Sequence, residues 1–320
     1  MKLNAVFSFI KNDLKEIESE LERTIQSEYP LLSEAGLHLL QAGGKRIRPV
    51  FVMLSSMFGD YDIKRVKRVA VSLELIHMAS LVHDDVIDDA KLRRGKPTIK
   101  EKWDNRIAMY TGDFLFARSL EMITFLDNPL AHKLLSKTIV EVCLGEIEQI
   151  KDKFNVDQNL RQYLQRIKRK TALLIATSCQ LGAISTEVDD VTHQRLFWFG
   201  YYIGMSYQII DDILDFTSSE KKLGKPVGSD LLQGNITLPV LYSLHDPKLS
   251  GRIKKINKDT PANEMTNIIK EIRKSPAIDQ SFELSNRYLH KALNILDKLP
   301  DGEHKIKLEE IANYIGKRKF

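Results

Sequence analysis

Two short runs of aspartate carry the strongest chemical signal in this sequence. One is His83-Asp84-Asp85-Val86-Ile87-Asp88-Asp89, and the other is Asp211-Asp212-Ile213-Leu214-Asp215. Both follow apolar, helix-periodic sequence, beside Leu81, Val82, Ile209 and Ile210. Asp84 and Asp88 are four residues apart, as are Asp211 and Asp215, so on a helix each pair shares one face. Carboxylates held this way repel. Burying one ionised carboxylate costs several kcal/mol unless it is paired or bound to a cation. Magnesium suits such a pair, because it takes one or two carboxylates and completes its octahedron with water and phosphate oxygens. A single run of this kind is weak evidence, since acidic helix ends are common and usually solvated. Aspartate, however, favours helix starts. Two runs near the ends of apolar helices point to a magnesium site that bridges a diphosphate.

A diphosphate also needs cations that are not metals. Gly43-Gly44-Lys45-Arg46-Ile47-Arg48-Pro49 supplies them in a tight turn entering a helix, where backbone N–H groups favour anions. Lysine gives a point charge, and arginine a planar fork for phosphate oxygens. Arg93 and Arg94 follow the first aspartate run, and Lys170, Thr171 and Lys225 are further candidates. His77 lies two helical turns before Asp84 on the same face. A lone helical histidine is more often a packing residue, and this alignment is what favours a functional one.

The elements that must carry these groups are helices. Glycine is 16 and proline 10 of 320 residues, both below average usage, which means long elements and few turns. Helical periodicity runs from end to end. Helices are expected up to about Ser27, broken by Pro30, then over 31–41, from Pro49, over 62–89, 99–126, 130–153, 157–184 and 189–217, with shorter ones to the end. Polar, glycine-rich Ser218 to Gly234 is expected to be a mobile loop. One all-α domain over 1–320 is the economical reading, with two helical subdomains split near residue 218 as the alternative. No apolar run reaches the length of a membrane span, and the first residues lack a cleavable signal pattern, so a cytoplasmic location is expected. Cys143 and Cys179 fit neither a disulfide framework nor a zinc site and are expected to be buried thiols. A net charge of +5, evenly spread, and short basic clusters argue against a nucleic-acid partner.

Six segments together resemble the trans-isoprenyl diphosphate synthases: GGKRIRP from Gly43, LIHMASLVHDDVIDDAKLRRGKPT from Leu75, GDFLFARSL from Gly112, KTALL from Lys170, YQIIDDILDF from Tyr207 and GKPVGSDLLQGNITLPVL from Gly224. Within that family the chain is most similar to the large catalytic subunits (component II) of bacterial two-component heptaprenyl diphosphate synthases, and VEVCLGEIEQIKDKFN and the ending YIGKRKF add to this. The resemblance implies an antiparallel helical bundle of the isoprenoid synthase type with its active-site cavity in the core. It implies two or three Mg²⁺ ions on Asp84, Asp88, Asp211 and Asp215, gripping an allylic diphosphate, with farnesyl diphosphate the family's usual starter. Asp84, Asp85, Asp88, Asp211, Asp212 and Lys170 are then the catalytic set. Isopentenyl diphosphate would be held by Lys45, Arg48, His77 and Arg94, and the allylic diphosphate also by Arg93, Lys170, Thr171, Gln208 and Lys225. All-trans product geometry and a role in making a menaquinone side chain come from the family alone. So do the partner calls: a heterodimer with a small component I subunit, or the homodimer usual in the family, with transient membrane contact for product release. A terpene cyclase, a non-catalytic homologue or a helical scaffold protein are the competing readings, and the two intact aspartate runs beside the basic set weigh against them.

Product length has a local determinant. The growing chain would run beneath the first aspartate run along its own helix, which rises ~1.5 Å per residue. Ala79 and Ser80, five and four residues before Asp84, are small, so no bulky ring stops the chain early. This predicts a medium or long product of about C30–C40, with C35 favoured; close helix packing alone is the plainer reason for small residues there. Replacing Ala79 with Phe is expected to shorten the product, read by chromatography of the dephosphorylated prenols. An unchanged length counts against a tunnel along this helix.

Overall fold

The structure, a computed structural model, describes residues 3–219 and 226–316. Among them it is all-α apart from one small hairpin. The chain divides into two compact units, each assembled from three segments, so the division does not fall at residue 218.

The first unit comprises Met1–Ile139, Thr177–Phe197 and Leu299–Leu308. It contains α1 (Leu3–Phe9), α2 (Lys11–Ile25), α3 (Pro30–Gln41), α4 (Ile47–Ser56), α5 (Ile63–Ile87), the hairpin β1 (Leu92–Arg93) and β2 (Lys96–Pro97), α6 (Ile99–Lys102) and α7 (Asn105–Thr124). Pro30 opens α3 rather than merely ending what precedes it, because a first-turn proline gives up no hydrogen bond. The helix expected over 99–126 is two helices. Thr98 caps the first by accepting from Glu101 N, and Asp104 caps the second by accepting from Ile107 N. Each side chain satisfies an amide that the helix start leaves open, which outweighs continuity through Trp103.

α5 is the central element of this unit. Asp62 caps its start by accepting from Lys64 N. Its buried residues, from Val66, Val69 and Leu73 to Ile76, Ala79 and Val82, lie all round the helix. Such a helix is held by neighbours on every side rather than by one amphipathic stripe. It packs along α7 and against α4 and α2. Each buried Val, Leu or Ile contributes about 1.5–3 kcal/mol relative to exposure.

The second unit comprises Val140–Ala176, Trp198–Lys298 and Glu309–Phe320. The helices that contribute to it are α8 (Pro129–Lys151), α9 (Leu160–Ile167), α10 (Leu173–Ile184), α11 (Asp190–Thr217), α12 (Ser229–Leu232), α13 (Leu238–Ser243), α14 (Pro247–Ile253), α15 (Ala262–Lys274), α16 (Ala277–Leu296) and α17 (Glu303–Gly316). Its core joins Met205, Ile209, Ile213 and Phe216 of α11 to Tyr163, Leu231, Ile236 and Ile268. Four expectations need correction. The helix expected over 157–184 carries a π-helical turn at Lys168–Ala172, and part of the expected loop 218–234 is the short helix α12. The helices after it are not all short, since α16 has 20 residues. Cys179 is buried as expected, but Cys143 is exposed, because helical periodicity names a face without naming what covers it. The basic tail Lys317-Arg318-Lys319 lies outside the described residues.

Gly182 of α10 sits so close to α4 that an added Cβ would meet the backbone of Val52. Helix propensity favours alanine over glycine by about 1 kcal/mol, whereas overpacking against backbone costs about 1–3 kcal/mol or more. The clash wins, because a main chain cannot swing aside. Gly182→Ala is expected to lower the melting temperature, and a stabilised variant would show that α4 and α10 do not meet this closely.

Candidate active site

In the first unit the acidic and basic groups gather where α4 starts and α5 ends. α5 stops in a Schellman-type turn: Ala90 N donates to Asp85 O at 2.9 Å, and Asp89 is left-handed at φ 49°. Asp88 caps the helix and its N–H donates to Asp84 O at 2.8 Å, which keeps these two residues one turn apart. The four carboxylates then have different surroundings. Asp89 pairs with Lys100. Asp85 is buried and clasped by Arg93, whose Nε donates to both oxygens (3.0 and 2.9 Å) and whose Nη2 donates to Oδ1 at 2.7 Å. Burial pushes the Asp85 carboxyl up, the Arg93 bonds oppose this, and the charges of Asp84 and Asp88 add to the rise. Asp84 and Asp88 themselves are half-buried.

Arg93 and Arg94 reach this end through the hairpin. Its register pairs Leu92 with Pro97 and Arg93 with Lys96. Arg94 and Gly95 both have positive φ, 54° and 79°, the signature of a two-residue type I′ turn. The hairpin therefore sends Arg93 back to Asp85 and leaves Arg94 at the tip. Gly44 lies against it: an added Cβ there would stand 2.8 Å from Nη1 of Arg94 and 2.8 Å from Nη1 of Arg46. His77 is held well below the ordinary histidine range, first by burial and then by the charges of Arg48, Arg94, Arg93 and Arg46. It therefore offers a neutral imidazole among cations. Lys45 is exposed on the same turn as Arg48. Ala79 is fully buried, and Ser80 folds its hydroxyl back onto His77 O at 2.9 Å.

In the second unit Asp211 is exposed, whereas Asp212 and Asp215 are buried. Asp212 accepts from Tyr163 Oη at 2.7 Å and from Gln208 Nε2 at 2.9 Å, and Thr171 Oγ1 donates to Gln208 Oε1 at 2.6 Å. Gln208, expected to bind substrate, thus has both ends of its amide engaged. Burial pushes Asp212 up to about 7, with the charges of Asp230 and Asp211 adding to this and the two hydrogen bonds opposing it. Asp215 accepts from Ser229 Oγ at 3.0 Å and from Asp230 N at 3.1 Å, which ties α12 to α11. The π-helical turn carries Lys170 and Thr171, a deviation often found where function needs a side chain re-aimed. Lys170 Nζ donates to Gln149 Oε1 at 2.9 Å and to Glu146 Oε2 at 3.3 Å. Lys225 lies outside the described residues.

Four residues that bond the site's side chains escape sequence reasoning: Tyr163 at Asp212, Asp230 at Asp215, and Glu18 and Glu74 at Arg46. Glu74, a lone acid in an apolar stretch, and Asp230, just after the glycine-rich segment, carried a signal that could have found them. Tyr163 and Glu18 carried none. Elsewhere the basic clusters are largely matched by acids within the same unit: Arg65 by Asp60, Asp62 and Glu187, Arg166 by Asp152, and Arg169 by Glu141 and Glu148.

The donor chemistry fits magnesium. Among the described residues no group of three or more His, Cys, Asp or Glu side chains is placed to hold a metal. Magnesium needs no such cage, since water and phosphate oxygens fill most of its shell. Half-buried Asp84 and Asp88 and exposed Asp211 suit this role. Asp215 fits least well, because both its oxygens already accept hydrogen bonds.

Comparison with known proteins gives a consistent result. A family model described as polyprenyl synthetase matches residues 29–274. The heptaprenyl diphosphate synthase component 2 of Bacillus subtilis (strain 168) is 67% identical over 320 residues, covering 100% of this chain and 92% of that protein. The crystal structure of heptaprenyl diphosphate synthase from Staphylococcus aureus aligns with a TM-score of 0.94 at 50% identity, covering 97% of this chain and 98% of the other. A polyprenyl synthase from Caulobacter crescentus CB15, solved with calcium and isoprenyl diphosphate, aligns at 0.93 with 29% identity, covering 99% of this chain and 98% of the other.

The raised Asp212 carboxyl has a measurable consequence. In the unfolded chain this group loses its proton near the ordinary value of about 4, while the folded protein keeps it to about 7. The folded state binds more protons across that window, so this group makes stability fall as pH rises from about 4 to 7, with no further change above. In metal-free buffer, Asp212→Asn is expected to gain melting temperature relative to the unsubstituted protein between pH 5 and 8. Parallel melting curves for the two proteins would show that Asp212 ionises normally.

Proposed function

The chain belongs to the polyprenyl synthetase family, and we propose that its two aspartate runs and its basic turn all serve one reaction, the condensation of two diphosphate substrates. The protein is a trans-prenyltransferase that makes heptaprenyl diphosphate. What carries this reading is identity of 67% along the whole chain to a heptaprenyl diphosphate synthase component 2, in a sequence with both aspartate runs and the basic turn. The family model matches residues 29–274, which belong to both compact units, and this supports reading the chain as one polyprenyl synthetase domain over 1–320.

The reaction joins isopentenyl diphosphate to an allylic diphosphate such as farnesyl diphosphate. The allylic C–O bond breaks, with its electron pair leaving on diphosphate. The double bond of isopentenyl diphosphate attacks the allylic cation, and a proton then leaves the new chain, with the released diphosphate as acceptor. Asp84, Asp88 and Asp211, with Asp215, would hold two or three magnesium ions, whose positive charge would favour departure of the allylic diphosphate. Arg93 holds Asp85 out of that set, which fixes the end of α5 from which Asp84 and Asp88 project. Tyr163 and Gln208 do the same for Asp212. Lys170 and Thr171 extend the grip on the allylic diphosphate from the π-helical turn, joined by Lys225. Lys45, Arg48 and Arg94 bind isopentenyl diphosphate as three cations against its negative charge. His77, kept neutral first by burial and then by its arginine neighbours, adds a hydrogen bond without adding charge. Ala79 and Ser80 leave the path along α5 open for the growing chain.

The name component 2 carried by relatives supports a two-part enzyme, and the partner in this reading is a small component I subunit, with a homodimer as the alternative. Among the described residues no helix is long and apolar enough to cross a membrane. A cytoplasmic enzyme supplying menaquinone side chains, touching the membrane only to release product, fits that finding.

Labelled isopentenyl diphosphate is the direct test, with the chain assayed alone and together with its candidate small subunit. A C35 product is expected, lost on adding EDTA and restored by magnesium. Asp84→Asn and Asp211→Asn are each expected to lower turnover by about a hundredfold or more, with folding unchanged by circular dichroism. Full turnover in EDTA, or in either variant, sinks the metal role.

A further inference from the structure

Arg46 stands between two residues assigned to isopentenyl diphosphate, yet its own guanidinium is turned inward. It is one of the few buried basic side chains, 8% exposed. Its Nε and Nη2 bond Glu18 of α2, its Nη1 donates to Glu74 Oε1 of α5 at 3.2 Å, and its Nη2 donates to Leu40 O of α3 at 3.2 Å. One side chain at the start of α4 therefore fastens three other helices. The planar fork of arginine can serve several acceptors at once, and a lysine ammonium cannot reproduce its geometry.

Two further observations tie this anchor to the site. Arg46 is left-handed at φ 45°, a conformation that disfavours a residue with a Cβ unless its surroundings hold it. That kink is what separates exposed Lys45 from Arg48 at the helix start. The same guanidinium meets Arg94 over Gly44, where only the absence of a Cβ allows both to approach. Two guanidinium groups this close repel, and Glu18 and Glu74 compensate the inner one. Glu74 is itself buried, and its Oε2 has no hydrogen-bond partner, so Arg46 is the cation on which this carboxylate depends.

We propose that Arg46, clamped by Glu18 and Glu74, is a positioning residue for isopentenyl diphosphate: it sets the turn that presents Lys45 and Arg48 and the spacing to Arg94. The inference rests on the assignment of those three residues to that substrate. It predicts an effect confined to one of the two substrates, because the clamp touches neither aspartate run.

The test uses the complete enzyme, with its partner component where activity requires one, and measures kcat and KM separately for isopentenyl diphosphate and farnesyl diphosphate, alongside melting temperature. Arg46→Met is expected to raise KM for isopentenyl diphosphate about tenfold or more, with kcat and the allylic KM within about threefold. Arg46→Lys should recover part of the loss. Glu18→Gln, at the half-exposed end of the clamp, should shift the same KM in the same direction and keeps the question answerable if Arg46→Met does not fold. Lys45→Ala and Arg48→Ala are the controls on the underlying assignment. If they leave KM for isopentenyl diphosphate unchanged, that assignment fails. If they raise it while folded Arg46 and Glu18 variants do not, or lower all parameters together with the melting temperature, the positioning role is overturned.

Discussion

Charge at the end of an apolar helix must be compensated, and each of the two aspartate runs is arranged around that requirement. A carboxylate near a helix C-terminus faces the negative end of the dipole, and burial strips it of water as well. The protein meets this separately for each acid. Arg93 clasps Asp85, Lys100 pairs with Asp89, Tyr163 and Gln208 serve Asp212, and Ser229 with the Asp230 amide serves Asp215. Asp84 and Asp88 are half-buried and Asp211 is exposed. The buried acids Asp85, Asp212 and Asp215 hold backbone in place, and Asp84, Asp88 and Asp211 are accessible enough to suit a cation.

The basic side follows the same logic with the signs reversed. Arg46, Arg93 and Arg94 lie close enough for their charges to act on His77. Acids beneath them absorb part of the repulsion, Glu18 and Glu74 at Arg46 and Asp85 at Arg93. The imidazole among these arginines stays neutral, through burial first and their charges second. Backbone geometry delivers these groups: Arg46, Asp89 and Arg94 all occupy the left-handed region, at the three turns that aim the first unit's charges.

Much of this was legible in order of residues. Helix followed from apolar periodicity, and the position of α5 from the run between Asp62 and Asp89. Local capping is harder to weigh: apolar periodicity runs on through Trp103, although Thr98 and Asp104 are ordinary capping residues. The π-helical turn left no trace, since one extra residue in a helix changes hydrogen bonding without changing composition. Cys143 lies exposed on an apolar stripe, because periodicity identifies a stripe and only packing decides which stripes are covered.

The sequence by itself determined the kinds of charge, their spacing along each helix and the family, because these depend on neighbours three or four residues apart. Only the tertiary structure decided which acid takes which partner. Asp84 and Asp85 are adjacent and chemically identical, yet they lie about 100° apart around the helix, and Arg93 reaches only one. Arg46 and Arg48 likewise differ only in direction. That choice is made by helices distant in sequence, because desolvation and pairing act through space and not along the chain.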